Sequence, residues 1–230
     1  MRIAALLPGT GSRAAFVQRA FAGPLAAAGI TLVAIEPDPT NLIESALTEL
    51  DTLAATASEL LVGGISLGAA LATTWAARNP GRATGILAAL PAWIGSSAGA
   101  PAALSATITA NALDKDGLEA TIAGMRATSP AWLADELEAS WRQLWPGLPG
   151  SLRAAAAFAD LDAQVLSRVD CPVGIAAATD DPIHPRAAAE EWSKHLRRCH
   201  IETLPLAWIG EDPAALGTAS LAALAALGGR

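Results

Sequence analysis

The chain has 230 residues, a net charge of −7, 52% apolar residues and 16% charged residues. This composition excludes a disordered chain, because it supplies enough apolar surface for a buried core. The acidic balance argues against nucleic acid as a partner. No uninterrupted apolar run is long enough to span a membrane, and the short apolar run near Met1 is too brief for a signal peptide. We therefore expect a cytoplasmic, single-domain protein with no membrane contact.

In chain order, the sequence predicts strands and helices that alternate. The first helix is expected to break near Gly23-Pro24, and the last two helices open with Pro185 and Pro213 at the first turn. Alternation of this kind predicts an α/β fold with a parallel sheet covered by helices on both faces. The predicted strands cover 2–8, 30–37, 59–66, 83–93, 171–179 and 199–208, and the first three helices cover 12–29, 40–57 and 67–78.

Residues 94–160 carry no strand signal and interrupt this alternation. Within them, the stretch "SPAWLADELEASWRQLW" predicts a helix capped by Ser129, with Pro130 in its first turn. Its apolar residues fall on one stripe, formed by Leu133, Leu137, Trp141 and Leu144. A helical insertion between two strands predicts a lid or small cap over about 94–160.

The stretch "ELLVGGISLGAALATTW" contains the pattern G-x-S-x-G as Gly64, Ser66 and Gly68. The pattern alone is weak, but here it lies where a buried strand turns into a helix. A serine on such a sharp turn projects its hydroxyl above the sheet, and the helix N-terminus beneath it offers N–H groups to an oxyanion. We therefore predict that Ser66 is a nucleophile.

Three stretches together resemble the α/β-hydrolase superfamily, in its compact bacterial esterase and lactonase-like branch. "LLPGTGS" is similar to the family's oxyanion loop, with Pro8 where histidine is usual, and "GGISLGAA" is similar to its nucleophile elbow. "ATDDPIHPRAAAEEW" resembles the acid loop after the next-to-last strand. The resemblance implies a mostly parallel sheet without the family's first two strands, an oxyanion hole formed by the N–H groups of Thr10 and Leu67, and Asp181 as the catalytic acid.

The histidine of that family follows the final strand, and here the corresponding "LPLAWIGEDPAALG" has none. His195 lies late in a helix and His200 begins the last strand, so both are expected away from the carboxyl ends of the strands, where the site lies. His184 lies in the same loop as Asp181. It is either the catalytic base or simply the residue that caps the following helix, and spacing alone leaves the two roles open. We predict that 207–212 takes the place of the family's histidine loop.

Two functions follow from this pattern. With His184 as base, the protein is a serine hydrolase of a small, mainly apolar ester, thioester or lactone. Without a base, Ser66 is a poor nucleophile, and the fold serves a cyclase, decarboxylase, lyase or binding protein. A third interpretation, a dinucleotide-binding oxidoreductase, uses Gly9, Gly11 and Ala14 with Glu36, but it leaves the Ser66 turn and the Asp181 loop unexplained.

The remaining predictions concern the substrate and the cysteines. Trp93 ends a strand next to Ser66 and is the best candidate to line an apolar pocket. The expected partner is a small-molecule substrate; no cofactor and no metal is expected, and self-association into a homo-oligomer stays open. Cys171 and Cys199 have no metal-site spacing and are predicted to be reduced thiols.

Overall fold

The computed structural model describes residues 2–228 and contains one six-stranded sheet. All neighbouring strands are parallel, and their order is β2-β1-β3-β4-β5-β6. The carboxyl ends of the strands therefore meet at one edge of the sheet, where loops from different strands come together. The strands are β1 (Arg2–Leu7), β2 (Thr31–Ala34), β3 (Glu59–Ile65), β4 (Gly85–Ala89), β5 (Val173–Ala178) and β6 (Cys199–Leu204).

Helices cover both faces of this sheet, which is why its central strands are apolar on both sides. In β1, for example, Ile3 and Ala5 face one apolar cluster, whereas Ala4 and Leu6 face the other. The first cluster includes residues of α2, α3, α7 and α8, and the second includes residues of α1, α9 and α10. These helices are α1 (Ala14–Ala27), α2 (Leu42–Thr56), α3 (Leu67–Arg78), α7 (Ala163–Ser167), α8 (Arg186–His195), α9 (Leu206–Glu211) and α10 (Ala214–Ala225).

The segment between β4 and β5 is helical, and it has an apolar cluster of its own. It contains α4 (Pro101–Thr128), α5 (Ala131–Leu144) and α6 (Leu148–Ala156). The sequence indicated only α5, because the alanine-rich α4 shows no clear apolar stripe and is kinked at Gly117, which has φ +80°. Ser129 does not cap α5: it follows α4, and Pro130 at the start of α5 has no side chain that could accept a hydrogen bond.

The predicted break in the first helix is wrong, since α1 continues through Pro24. Proline has no N–H, so the carbonyl of Ala20 loses its usual helical donor. That carbonyl instead lies against α10, where a Cβ on Gly217 would be only 2.2 Å from the Ala20 oxygen. Close packing of the two helices at this glycine accommodates the freed carbonyl, and the helix remains intact.

Each observed strand is shorter than its predicted range, and for β4 and β6 the structure shows what ends the strand. β4 ends at Ala89, and Leu90, with φ +50°, turns the chain out of the sheet. β6 ends at Leu204, before Pro205, and 206–211 forms the short helix α9 rather than the end of a strand. The Asp180 carboxylate accepts a hydrogen bond from the Leu206 N–H at 2.7 Å, which fixes the start of α9 beside the loop after β5.

Both cysteines are free thiols in this structure. Cys171 lies two residues before β5 and is buried, and burial, with a smaller contribution from Asp170, raises the pKa of its thiol to about 11. Burial also raises the pKa of Cys199. Within residues 2–228, no helix combines the length and the apolar character needed to cross a membrane.

Candidate active site

Ser66 lies at the turn between β3 and α3, at the carboxyl edge of the sheet. Its backbone has φ 53° and ψ −114°, a strained conformation for a residue with a side chain. The Ser66 N–H donates to the Ala89 carbonyl of the neighbouring strand at 2.9 Å, which anchors the turn. Backbone strain that the neighbouring strand maintains is typical of a residue whose side chain must point in one direction.

The two glycines of G-x-S-x-G make room for the end of β1. A Cβ on Gly64 would lie 2.3 Å from the Leu7 carbonyl oxygen, and a Cβ on Gly68 would lie 2.4 Å from the same atom. Either side chain would push the loop after β1 away from Ser66. The glycine spacing therefore has a packing reason as well as a conformational one.

His184 connects Ser66 to Asp181 through two hydrogen bonds. Its Nε2 lies 3.0 Å from the Ser66 Oγ, and its Nδ1 lies 2.9 Å from Asp181 Oδ2. The Asp181 side chain is 7% exposed and the His184 side chain 18%, so both bonds are largely shielded from water. The structure therefore brings together the three side chains predicted to be catalytic, and His184 does not merely cap the helix that follows it.

The position of His184 follows from a tight turn that Asp181 closes. Asp181 Oδ1 accepts the N–H of Ile183 at 2.7 Å and the N–H of His184 at 3.1 Å, which leaves Oδ2 free for the imidazole. Burial acts to raise the pKa of the Asp181 carboxyl, but the hydrogen bond and charge of His184, with the two N–H groups, outweigh burial and lower it. The carboxylate is therefore ionised at neutral pH.

The other two histidines lie elsewhere. His195 Nε2 is 3.2 Å from Glu191 on its own helix, and His200 Nε2 is 3.2 Å from Glu202 on β6. No histidine follows β6, where the chain forms α9. Of the two roles that the sequence left open for His184, the geometry favours the base, because its imidazole lies between Asp181 and Ser66 and reaches that place from the acid loop itself.

The loop after β1 lies against Ser66, as an oxyanion loop requires. A Cβ on Gly9 would lie 3.6 Å from the Ser66 Cβ, so Thr10 follows a residue in contact with the turn. Leu67 is the first residue of α3, and the N–H groups of a helix's first turn have no partner inside the helix. Convergence of the Thr10 and Leu67 N–H groups on a substrate oxygen remains a prediction.

Helix α5 holds this loop from the opposite side, a feature that the sequence did not indicate. Ser12 Oγ donates to Glu136 Oε1 at 3.4 Å, and Arg13 hydrogen-bonds the Gln143 side chain. A Cβ on Gly11 would lie 3.1 Å from the Nε1 of Trp141. Residues 11–13 thus all lie against α5, and the insertion forms part of the wall around the site.

An apolar crevice opens beside the turn. Its walls come from the loop after β1 and from Ile35, Leu42, Leu67, Leu71 and Leu144. Ser66 itself is 7% exposed and does not line this crevice. The crevice begins instead at Leu67, the next residue along the chain.

Two other sequence hypotheses can be compared with the structure. Trp93 does not line the crevice: its Nε1 donates to the Phe158 carbonyl at 3.0 Å, and its own carbonyl accepts from Trp192 Nε1 at 3.0 Å. Its substrate contact stays a prediction. Glu36 accepts the Ala14 N–H at 3.2 Å and pairs with Arg13, so this carboxylate occupies the N-terminus of α1, where a dinucleotide phosphate would have to bind.

No family model and no curated protein matches this sequence. Solved structures do match it in fold. A hydrolase from Oleispira antarctica superposes with a TM-score of 0.73 at 13% identity, covering 100% of this chain and 92% of that one. A hydrolase from Pseudomonas aeruginosa PA01 gives 0.69 at 20% identity, with 97% and 90% covered, and a thermophilic esterase from Thermogutta terrifontis gives 0.67 at 14%, with 89% and 81% covered. The predicted α/β-hydrolase fold is therefore confirmed.

Proposed function

We propose that this chain, which has the α/β-hydrolase fold, is a serine hydrolase of carboxylic esters in which Ser66 is the nucleophile, His184 the base and Asp181 the acid. The observation that carries the proposal is the 3.0 Å contact between Ser66 Oγ and His184 Nε2. A serine hydroxyl needs an adjacent base to attack a carbonyl, and a third group must orient that base.

In the proposed reaction, His184 Nε2 accepts the proton of the Ser66 hydroxyl as Oγ attacks the ester carbonyl carbon. The imidazolium that forms is stabilised by the Asp181 carboxylate at its Nδ1 side. His184 then donates the proton to the leaving alcohol, and an acyl group remains on Ser66. A water molecule, deprotonated by the same imidazole, hydrolyses this acyl-enzyme and restores the serine.

The negative charge that develops on the carbonyl oxygen needs hydrogen-bond donors nearby. We assign this role to the Leu67 N–H at the start of α3 and to the Thr10 N–H in the loop that contacts the Ser66 turn. Helix α5 holds the same loop at Ser12 and Arg13, which supports a fixed position for these donors before substrate arrives.

The non-hydrolytic alternative depended on the absence of a base, and the His184 contact removes that reason for it. Hydrolysis of p-nitrophenyl butyrate tests the proposal directly. Ser66→Ala should reduce the rate to the buffer background, since the nucleophile is lost. Ser193→Ala is the matched control, because Ser193 Oγ donates to the Glu190 carbonyl within its own helix α8 and not to His184. Equal rates in the two variants would refute the proposal.

A further inference from the structure

Glu136 in α5 is a buried carboxylate that has no role in the proposed reaction. Among the ion pairs formed by residues 2–228, the carboxylates of Asp181 and Glu136 are 7% and 9% exposed, and every other paired carboxylate is at least 27% exposed. A carboxylate loses its hydration when it is buried, and this cost is offset only where charged and polar partners bind its oxygens. The groups that Glu136 binds therefore indicate what the carboxylate does.

Glu136 joins three parts of the chain. Its Oε2 accepts a hydrogen bond from the Arg19 guanidinium of α1, and its Oε1 accepts from the Ser140 hydroxyl of α5 at 3.1 Å. The Arg19 guanidinium lies 5.5 Å from the centroid of the Phe16 ring, so it is itself held against the core. The remaining partner is Ser12 in the loop after β1, whose Oγ donates to Glu136 Oε1 at 3.4 Å. The carboxylate therefore ties this loop to two helices.

Ser12 closes the turn that contains Thr10. Its N–H donates to the Gly9 carbonyl at 3.1 Å, and Gly11, with φ +71°, supplies the positive φ at the third position of this four-residue turn. At the other end of the turn, a Cβ on Gly9 would lie 3.6 Å from the Ser66 Cβ. The turn 9–12 thus contacts the Ser66 turn at one end and is bonded to Glu136 at the other. A movement of Ser12 would reorient the Thr10 N–H that lies between them.

We propose that Glu136 is a positioning residue for ester hydrolysis, which through Ser12 keeps the Thr10 N–H directed at the oxygen that becomes negative. The inference rests on the proposed function, because that oxyanion forms only when Ser66 attacks a carbonyl carbon. The carbonyl oxygen of a bound ester carries a partial charge, whereas the oxygen of the tetrahedral intermediate carries a full negative charge. Loss of the link from Glu136 to the turn should therefore lower kcat and leave KM unchanged.

Two serines that bind the same oxygen provide the first test. Ser12 and Ser140 both donate to Glu136 Oε1, but only Ser12 belongs to the turn, and Ser140 makes the shorter bond. With p-nitrophenyl butyrate, Ser12→Ala should lower kcat about tenfold without changing KM, which is less than the loss of a whole oxyanion donor, because the Thr10 N–H is misdirected rather than removed. Ser140→Ala should keep kcat within about twofold of wild type. Equal kcat values in the two variants would overturn the inference, since a purely structural carboxylate would depend on Ser140 at least as much as on Ser12.

A double-mutant cycle tests whether Glu136 and Ser12 act as one unit. Glu136→Leu should also lower kcat by a factor of about ten, and adding Ser12→Ala should lower it no further, because either change breaks the same link. Glu138→Leu is the control, since Glu138 lies on the same helix but pairs with Arg126 and Arg142, and it should keep the wild-type kcat. Losses that multiply in the double variant would overturn the inference, as would a loss in Glu138→Leu equal to that in Glu136→Leu.

An oxyanion analogue separates positioning from stability. Propyl trifluoromethyl ketone should react reversibly with the Ser66 hydroxyl: the bond from Oγ to the carbonyl carbon forms, the carbonyl electron pair becomes an oxyanion, and the proton moves to His184 Nε2. Its Ki should rise about tenfold in Ser12→Ala, in step with the fall in kcat, and should stay at the wild-type value in Ser140→Ala. An unchanged Ki in Ser12→Ala would overturn the inference and leave the proposed function intact. If Ser66→Ala binds the ketone as tightly as the wild-type protein does, the proposed function is wrong, and the inference fails with it.

Discussion

The loop after β5 and the segment after β6 lie side by side at the carboxyl edge of the sheet, yet they carry very different groups. The first, 180–185, holds Asp181 and His184 hydrogen-bonded to each other. The second begins with α9, which offers no histidine and is joined to the first by the Asp180–Leu206 hydrogen bond. In the family that the sequence resembles, the acid and the base come from these two different loops.

An acid and an imidazole can therefore come from one loop, provided that the loop holds the imidazole between the carboxylate and the serine. Asp181 accepts two backbone N–H groups of its own turn, and that turn points the imidazole of His184 at Ser66. The segment after β6 is then free to pack elsewhere: a Cβ on Gly210 in α9 would lie 2.4 Å from the Trp132 ring of α5. One segment carries the proposed acid and base, and the other packs against the insertion.

Removal of the His184 imidazole should have the largest effect on activity, because it takes the proposed base out of the loop after β5. His184→Ala should lower kcat about 10² to 10⁴-fold, because the general base is lost. His195→Ala is the control, since its imidazole hydrogen-bonds Glu191 on its own helix, and it should keep wild-type activity. The comparison predicts further that a histidine placed in α9, as Trp208→His, does not restore activity to the His184→Ala protein. Recovery by Trp208→His would show that the second segment can still serve as the histidine loop.

The two neighbouring aspartates separate the roles within the first loop. Asp181→Asn should lower kcat by a factor on the order of 10² or more, because an amide favours the wrong imidazole tautomer. Asp180→Asn should keep kcat within about threefold of wild type, because its amide oxygen can still accept the Leu206 N–H. Steady-state kinetics on one ester measures both variants. Equal losses would mean that attachment of α9 matters as much as orientation of His184.

The supporting role of α9 can be tested through Gly210. Gly210→Ala should lower the free energy of unfolding by about 1–3 kcal/mol, because the new methyl group displaces the Trp132 ring. Gly124→Ala is the control: a Cβ there meets nothing within 4 Å, and alanine is the better helix former. Urea unfolding measures both changes. If Gly210→Ala leaves the free energy of unfolding unchanged, the packing against Trp132 does not require a glycine at this position.

The smallest effect is expected in the pH dependence of stability, compared between the wild-type protein and Asp181→Asn. The pKa of Asp181 is lower in the folded protein than its ordinary value of 3.8, so its ionisation stabilises the fold above about pH 4. That contribution is lost as the pH falls through the folded pKa. Wild type should therefore be more stable than Asp181→Asn at pH 7, and the difference should shrink below pH 4. A difference that stays constant from pH 7 to pH 3 would contradict this.

Ser66 and Asp181 could be proposed from the sequence because their signals are local. A strand, two glycines and a helix specify the Ser66 turn, and the resemblance of the loop after β5 to the family's acid loop implies Asp181. His184 could be named as a candidate base, but the sequence could not decide between that role and a helix cap. The direction of its imidazole depends on which backbone N–H groups the Asp181 carboxylate accepts. The crevice could not be found, since it combines Leu42, Leu67 and Leu144 from three helices that only the tertiary packing brings together.

The errors in the predicted elements have a similar cause. Proline normally interrupts a helix, but the Ala20 carbonyl that Pro24 leaves without a helical donor packs against Gly217 on α10, and α1 continues. The apolar residues after Leu204 resemble a strand, but Pro205 and the Asp180 carboxylate begin a helix there instead. In each case a partner distant in sequence decides a local choice.

Because Asp181 and His184 belong to one tight turn, the acid–base pair is a portable unit. Six residues, "DDPIHP" from 180 to 185, contain both side chains and the N–H groups that orient them. A designer could graft this single loop after the matching strand of another parallel α/β sheet with a serine turn, without placing a second loop in register. Within the part of the chain that the structure describes, β6 and the last two helices contribute packing but none of the three side chains that meet at Ser66, so a redesign there would have to preserve packing and no reactive group.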